Sequence, residues 1–272
     1  MQGLWIAIFI CVGVILCFVG AIANRRWDAF IRACEDYDED VDGKMTKKEK
    51  EAFEARKEAE AKLTRMPVKD VIKERPGRLV AFLILGAGCS LALALQYGVN
   101  AATWTLLPFT AILILISMID LDTMEIPFSL NLTILAIGLI SLLTFKEVAP
   151  FSDITIVSRL IGMVSVAGGM ILIERLFYLL RGIEGAFGYG DVKLMAAAGF
   201  LLGWKMTLIG FFMGAIVGGV IGVVLLARKK KGGREHVPFG PSLCAGLFLA
   251  VMFGTRLINW YADMLIPAEE YF

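Results

Sequence analysis

Eight apolar stretches run along the chain, at roughly 4–23, 79–97, 101–120, 128–146, 155–180, 190–203, 205–227 and 240–260. Most approach the roughly 20 residues that a helix needs to cross the hydrocarbon core of a bilayer. The pattern predicts an all-α fold, a polytopic membrane helical bundle with about eight transmembrane helices. The sixth stretch is the shortest, and Gly199 and Gly203 are expected to break it. Polar residues gather between the first and second stretches. There residues 24–78 predict a cytoplasmic loop holding a small helix–loop–helix. The expected organisation is an N-terminal transmembrane anchor at 1–23, this loop, a membrane domain at 79–260, and an extracytoplasmic tail at 261–272.

Charge fixes the expected orientation. Residues 24–78 carry 15 of the 27 Lys and Arg residues. The connection after the seventh stretch adds Arg228, Lys229, Lys230, Lys231 and Arg234. Basic loops stay in the cytoplasm, so the N-terminus is expected outside a multi-pass protein of the cytoplasmic (inner) membrane. The connections at 120–127 and 182–191 then fall on the cytoplasmic side as well. Ala21-Ile22-Ala23 imitates a signal cleavage site, but no basic residue precedes the apolar run and Arg25-Arg26 follow it. That order favours an uncleaved anchor.

The composition agrees: 58% of residues are hydrophobic and the mean hydropathy is +0.73, well above a soluble domain. The net charge of +1 says little because the charges are so unevenly placed. The basic clusters flank membrane spans, so the lipid bilayer rather than nucleic acid is the expected partner. The five cysteines form no CxxC pair, which argues against a zinc module or a disulfide framework; four of them read as small apolar residues in helix packing. A single histidine, His236, leaves acid–base chemistry to carboxylates. Gly210, Gly214, Gly218 and Gly222 recur every fourth residue and predict a helix-packing seam, with a hinge or a narrow substrate groove as the alternative. Arg159, Glu174 and Arg175 lie in or near the fifth stretch, where ionisable groups suggest function, although the last two are close enough to its end to snorkel.

Two segments place acids at the cytoplasmic ends of apolar helices. One runs Ser117-Met118-Ile119-Asp120-Leu121-Asp122-Thr123-Met124-Glu125-Ile126-Pro127, the other Gly188-Tyr189-Gly190-Asp191-Val192-Lys193-Leu194. Water reaches a helix end, which lowers the cost of an acid there and supplies a nucleophile. Two carboxyl groups a few ångströms apart do not ionise together, so one can activate water while the other polarises a carbonyl. Gly188 and Gly190 are candidate substrate-binding positions, where missing side chains let a peptide backbone come close. The plainer reading makes Asp191 a cap in the first helical turn.

These segments resemble those of the type IV prepilin peptidases and archaeal preflagellin peptidases, membrane aspartic peptidases with a Gly-x-Gly-Asp motif. Asp120 with Ile126-Pro127 is similar to the first catalytic segment, and Gly188–Leu194 to the second. Pro238-Phe239-Gly240-Pro241 is similar to a segment near the C-terminus. The resemblance covers roughly residues 79–260. It implies an endopeptidase that removes a short basic leader from prepilin-like or pseudopilin-like proteins at the cytoplasmic membrane face, with Asp120 and Asp191 as the catalytic pair and no cofactor needed for catalysis. Asp122 competes with Asp120, but the distance to Ile126-Pro127 favours Asp120. Asp122 and Glu125 either attract the basic leader or are solvated loop acids. Two other readings stay open: an intramembrane protease closer to presenilins and signal peptide peptidases, whose Pro-Ala-Leu segment is absent here, and a non-catalytic membrane assembly or transport component.

The first cytoplasmic loop departs from the family. Many relatives carry two CxxC pairs there and methylate the trimmed product; this loop holds only Cys34. No zinc, and no methyl transfer, is expected of this chain. Asp38 to Glu49 instead fit the twelve-residue EF-hand loop, with Ca²⁺ ligands expected from Asp38, Asp40, Asp42, Lys44 (its carbonyl), Thr46 and Glu49, and Gly43 at the turn. A lone hand pairs with a second copy, giving a homo-oligomer, or docks on the enzyme's own cytoplasmic face. The alternative is an acidic, solvated helix–loop–helix.

Overall fold

The computed structural model describes residues 3–20, 76–145, 151, 154–181, 188–228 and 238–265. Among these the chain is helical, with no strand. The helices are α1 (Gly3–Gly20), α2 (Pro76–Tyr97), α3 (Ala101–Thr123), α4 (Phe128–Thr144), α5 (Ile156–Arg181), α6 (Tyr189–Arg228) and α7 (Gly240–Leu265). Six of them are long and apolar enough to cross a membrane, and α4 is a shorter apolar helix. Leu95, Leu143, Leu172, Leu179 and Ile216 are all exposed on outward faces. An exterior this apolar suits lipid rather than water as the surrounding solvent. The protein is a polytopic helical membrane protein, as the hydropathy pattern predicts.

Local signals set the helix ends. Gly98 follows α2 with φ 72°, and its N–H donates to the Ala94 carbonyl at 3.0 Å, a left-handed helix stop that glycine adopts without strain. Two residues later Asn100 caps α3, its side chain accepting from the Thr103 N–H at 2.9 Å. Asn and Ser-type caps satisfy one of the orphan donors of the first turn.

Helix α6 accounts for two expected spans. Its 40 residues would extend about 60 Å if straight, twice the roughly 30 Å of hydrocarbon. The helix breaks at Gly203, which has φ 74° and ψ 167°. On the second arm, Met206 meets Gly254, Gly210 meets Leu247 and Ala250, Gly214 meets Ser242 and Leu243, and Gly218 meets Phe239 and Ser242. Numbers rise on this arm as they fall on α7, so the two are antiparallel. Glycine at 210, 214 and 218 permits that approach; Gly222, the fourth of the series, meets nothing among the described residues. Gly199 does not break the helix. It marks the crossing with α5, where a Cβ would lie 2.2 Å from the Gly162 carbonyl oxygen.

Beside this crossing Arg159 is 1% exposed. Its Nη1 donates to the carbonyls of Phe200 and Leu201 at 3.0 and 3.1 Å and to Ser141 Oγ at 2.6 Å. Those carbonyls lie in the last turn of the first arm of α6, just before the break at Gly203, the place in a helix where carbonyls run out of intrahelical donors. The guanidinium caps them, favourably placed at the negative end of a helix, and lies 5.6 Å from the Phe145 ring centroid. Its burial therefore has a structural cause. Glu174 is half-buried and Arg175 exposed.

Candidate active site

Asp120 lies in the last turn of α3, and Asp191 in the first turn of α6. They are 5% and 7% exposed, the only buried carboxylates among the described residues. Asp191 lies within electrostatic reach of Asp120, so helix ends some 70 positions apart in sequence form one acidic centre. Each acid has a backbone donor from a glycine. The Gly240 N–H donates to Asp120 Oδ2 at 2.9 Å, and the Gly188 N–H donates to the Asp191 carboxyl.

The connecting loop between α3 and α4 holds this arrangement. Met124 ends α3 in the left-handed conformation, φ 57°, with its N–H bonded to the Asp120 carbonyl at 2.9 Å. That conformation costs a non-glycine residue roughly 1–2 kcal/mol, and it turns the chain sharply just past the acid. Pro127 then opens α4. Ile126 packs on Gly190, where an added Cβ would come within 3.0 Å of the Ile126 side chain. Glycine at 190 thus serves helix–loop packing. The Ile-Pro segment is part of the site because it seats the start of α6, one residue before Asp191.

The third segment closes the centre from the other side. A Cβ on Gly240 would sit 2.6 Å from Asp120 Oδ2, so only glycine brings the α7 backbone to the carboxyl. One turn into α7, the buried Cys244 thiol lies beside Ser117 and within electrostatic reach of both acids. Nothing in the sequence connects Cys244 or Ser117 with the pair; both look like ordinary apolar-helix residues. Asp122 and Glu125 are exposed and stand outside the buried centre. Gly188 is exposed next to Asp191. The loop residues Asp38, Asp40, Asp42, Lys44, Thr46 and Glu49 lie outside the described residues.

Such a centre defines a helical membrane protein with a paired-carboxylate site at one face of the bundle. Residues 107–223 match the type IV leader peptidase family, an interval that includes both acids. Curated relatives agree. A prepilin leader peptidase/N-methyltransferase of Legionella pneumophila is 38% identical over 156 residues, 56% of this chain and 51% of the relative. Proteins of the same name from Aeromonas hydrophila and Bacillus subtilis are 33% and 27% identical over 180 and 175 residues. These matches cover 65% and 64% of this chain and 59% and 66% of the relatives. The chain spans between about half and two thirds of the length of these relatives. No solved structure matches it. The comparisons bear out the family resemblance drawn from the motifs.

Proposed function

We propose that this protein is a membrane aspartic endopeptidase that removes the short basic leader from prepilin-like or pseudopilin-like proteins. The observation that carries the reading is the pair of buried acids, Asp120 and Asp191, brought together from two helix ends. Close carboxyl groups share one proton, which supplies a base and an acid at once. The ionised member takes a proton from water as the water oxygen bonds to the scissile carbonyl carbon. The protonated member gives its proton to the carbonyl oxygen. In the collapse, the first carboxyl passes its proton to the amide nitrogen and the C–N bond breaks, while the second recovers a proton from the hydroxyl. Both acids end as they began.

The site opens at the cytoplasmic face in this reading, with the protein in the cytoplasmic membrane and its N-terminus outside. The support is the charge asymmetry of the sequence: Lys and Arg crowd into segments 24–78 and 228–234, and basic loops favour the cytoplasm. Exposed Asp122 and Glu125 beside the buried pair suit a basic leader, which they attract without taking part in the chemistry. Activity is tested by incubating the detergent-solubilised protein with prepilin-like substrates and mapping the products by mass spectrometry. A single cut behind the basic leader supports the reading, and an intact substrate sinks it.

A further inference from the structure

Asn131 is 3% exposed, one turn into α4, and neither its Nδ2 nor its Oδ1 has a hydrogen-bond partner. A buried amide in that state is less stable than an aliphatic side chain of the same size. Among the described residues only five buried side-chain polar atoms are unpaired: these two, Asp191 Oδ1, Arg159 Nε and Thr255 Oγ1. Arg159 and Thr255 belong to the opposite end of the bundle, near the Gly203 break and the Met206–Gly254 contact. The remaining three lie on Asp191, in the acidic centre itself, and on Asn131, one turn into α4.

The register of α4 against α6 relates these two positions. Lys193 Nζ lies 5.3 Å from the Phe128 ring centroid, and Gly138 packs on Phe200 and Leu201. The two helices therefore run side by side in the same direction, and Asn131 falls level with the turn that follows Asp191. It shares the buried stripe of α4 with Ile134, Ile137, Gly138 and Ser141, a stripe that packs against α3 and α6. A peptidase needs water at this depth, and an internal water needs two or more polar partners in an otherwise apolar surrounding.

We infer that Asn131 holds the attacking water against Asp191. The amide Nδ2 donates to the water oxygen, and the water donates to Asp191 Oδ1, which makes Asp191 the member that accepts the water proton. The inference rests on the peptidase reading and assigns that reaction a third polar group.

The test compares Asn131→Val with Asn131→Thr in the full-length protein. Valine and threonine have nearly the same shape, and only threonine keeps a group that bonds water. Asn131→Val removes no bond within the protein, so its thermal stability in detergent should equal or exceed that of the wild type. Its kcat should fall about 100-fold, the scale of losing one oriented donor, with KM unchanged, while Asn131→Thr keeps most of the activity. An experimental structure fine enough to show ordered water should place one within hydrogen-bond distance of both Asn131 Nδ2 and Asp191 Oδ1 in the wild type and none there in Asn131→Val. An unchanged kcat in Asn131→Val, equal losses in both variants, or an Asn131 amide bonded directly to protein groups overturns the inference. A wild type that cleaves no prepilin-like substrate overturns the peptidase reading instead; the position of the water is read independently of it.

Discussion

The backbone N–H of Gly240 donates to Oδ2 of Asp120 across 120 residues of sequence, at 2.9 Å. The bond ties the start of α7 to the last turn of α3 and orients one carboxyl of the pair. It also leaves no room for a side chain, since a Cβ at 240 would meet that oxygen at 2.6 Å. Gly240→Ala should therefore displace the Asp120 carboxyl while leaving the bundle folded. A misplacement of this size costs on the order of 100-fold in rate. The measurement is kcat for leader cleavage, with a thermal melt in detergent as the control for folding. A Gly240→Ala protein that cleaves at the wild-type rate contradicts this account of Asp120.

Arg159 concerns stability rather than chemistry. Arg159→Met leaves the Phe200 and Leu201 carbonyls without their donor at the end of the first α6 arm, and should lower stability by about 3 kcal/mol. Arg159→Lys should fall between, because an ammonium lacks the planar fork that reaches Ser141 and both carbonyls together. Denaturation in detergent measures both variants. Cleavage per folded molecule should be unchanged, since the break at Gly203 lies at the far end of the arm from Asp191.

The sequence shows some of this architecture directly. Hydropathy places the spans because each must cover the bilayer, and it separates the two arms of α6 at Gly203. The acids are legible because carboxylates within the apolar stretches are few. Their partners are not. Gly240 lies 120 residues from Asp120, and no local pattern announces a contact made only by folding. Gly199 reads as a breaker because glycine weakens isolated helices, whereas here it lets the Gly162 backbone approach. Arg159 reads as a functional charge at membrane depth until its carbonyl partners are known. Burial distinguishes Asp120 from Asp122: the first is buried in the bundle and the second is exposed.

The acidic loop from Asp38 to Glu49 yields a separate proposal, that it binds Ca²⁺ through Asp38, Asp40, Asp42, Thr46, Glu49 and the Lys44 carbonyl. A lone hand with a charged exiting segment has little apolar surface to bury, so its affinity should be modest, with Kd on the order of 10⁻⁴–10⁻³ M. Calorimetry on the full-length protein in detergent should detect this binding, and Glu49→Gln should weaken it by removing the bidentate ligand. Equal binding by Glu49→Gln, or none by the wild type at millimolar Ca²⁺, refutes the proposal.

The name that the relatives carry joins two activities, and only the first is expected of this chain. With Cys34 alone in residues 24–78, the protein should trim its substrate without methylating the new N-terminus. Incubation of purified protein with labelled S-adenosylmethionine and a cleaved prepilin-like substrate checks this. Label in the trimmed product refutes the expectation.

The central claim is that Asp120 and Asp191 act as one catalytic pair. The most direct measurement follows leader cleavage by mass spectrometry in Asp120→Asn, Asp191→Asn and Asp122→Asn, each reconstituted at equal folded amounts. Asparagine keeps the shape of the side chain but takes no part in proton exchange. Either pair variant should lose about 10³-fold or more in rate, whereas Asp122→Asn, altered at an exposed position, should stay active. Continued cleavage by Asp120→Asn or Asp191→Asn would contradict the account, as would an inactive Asp122→Asn beside an active Asp120→Asn.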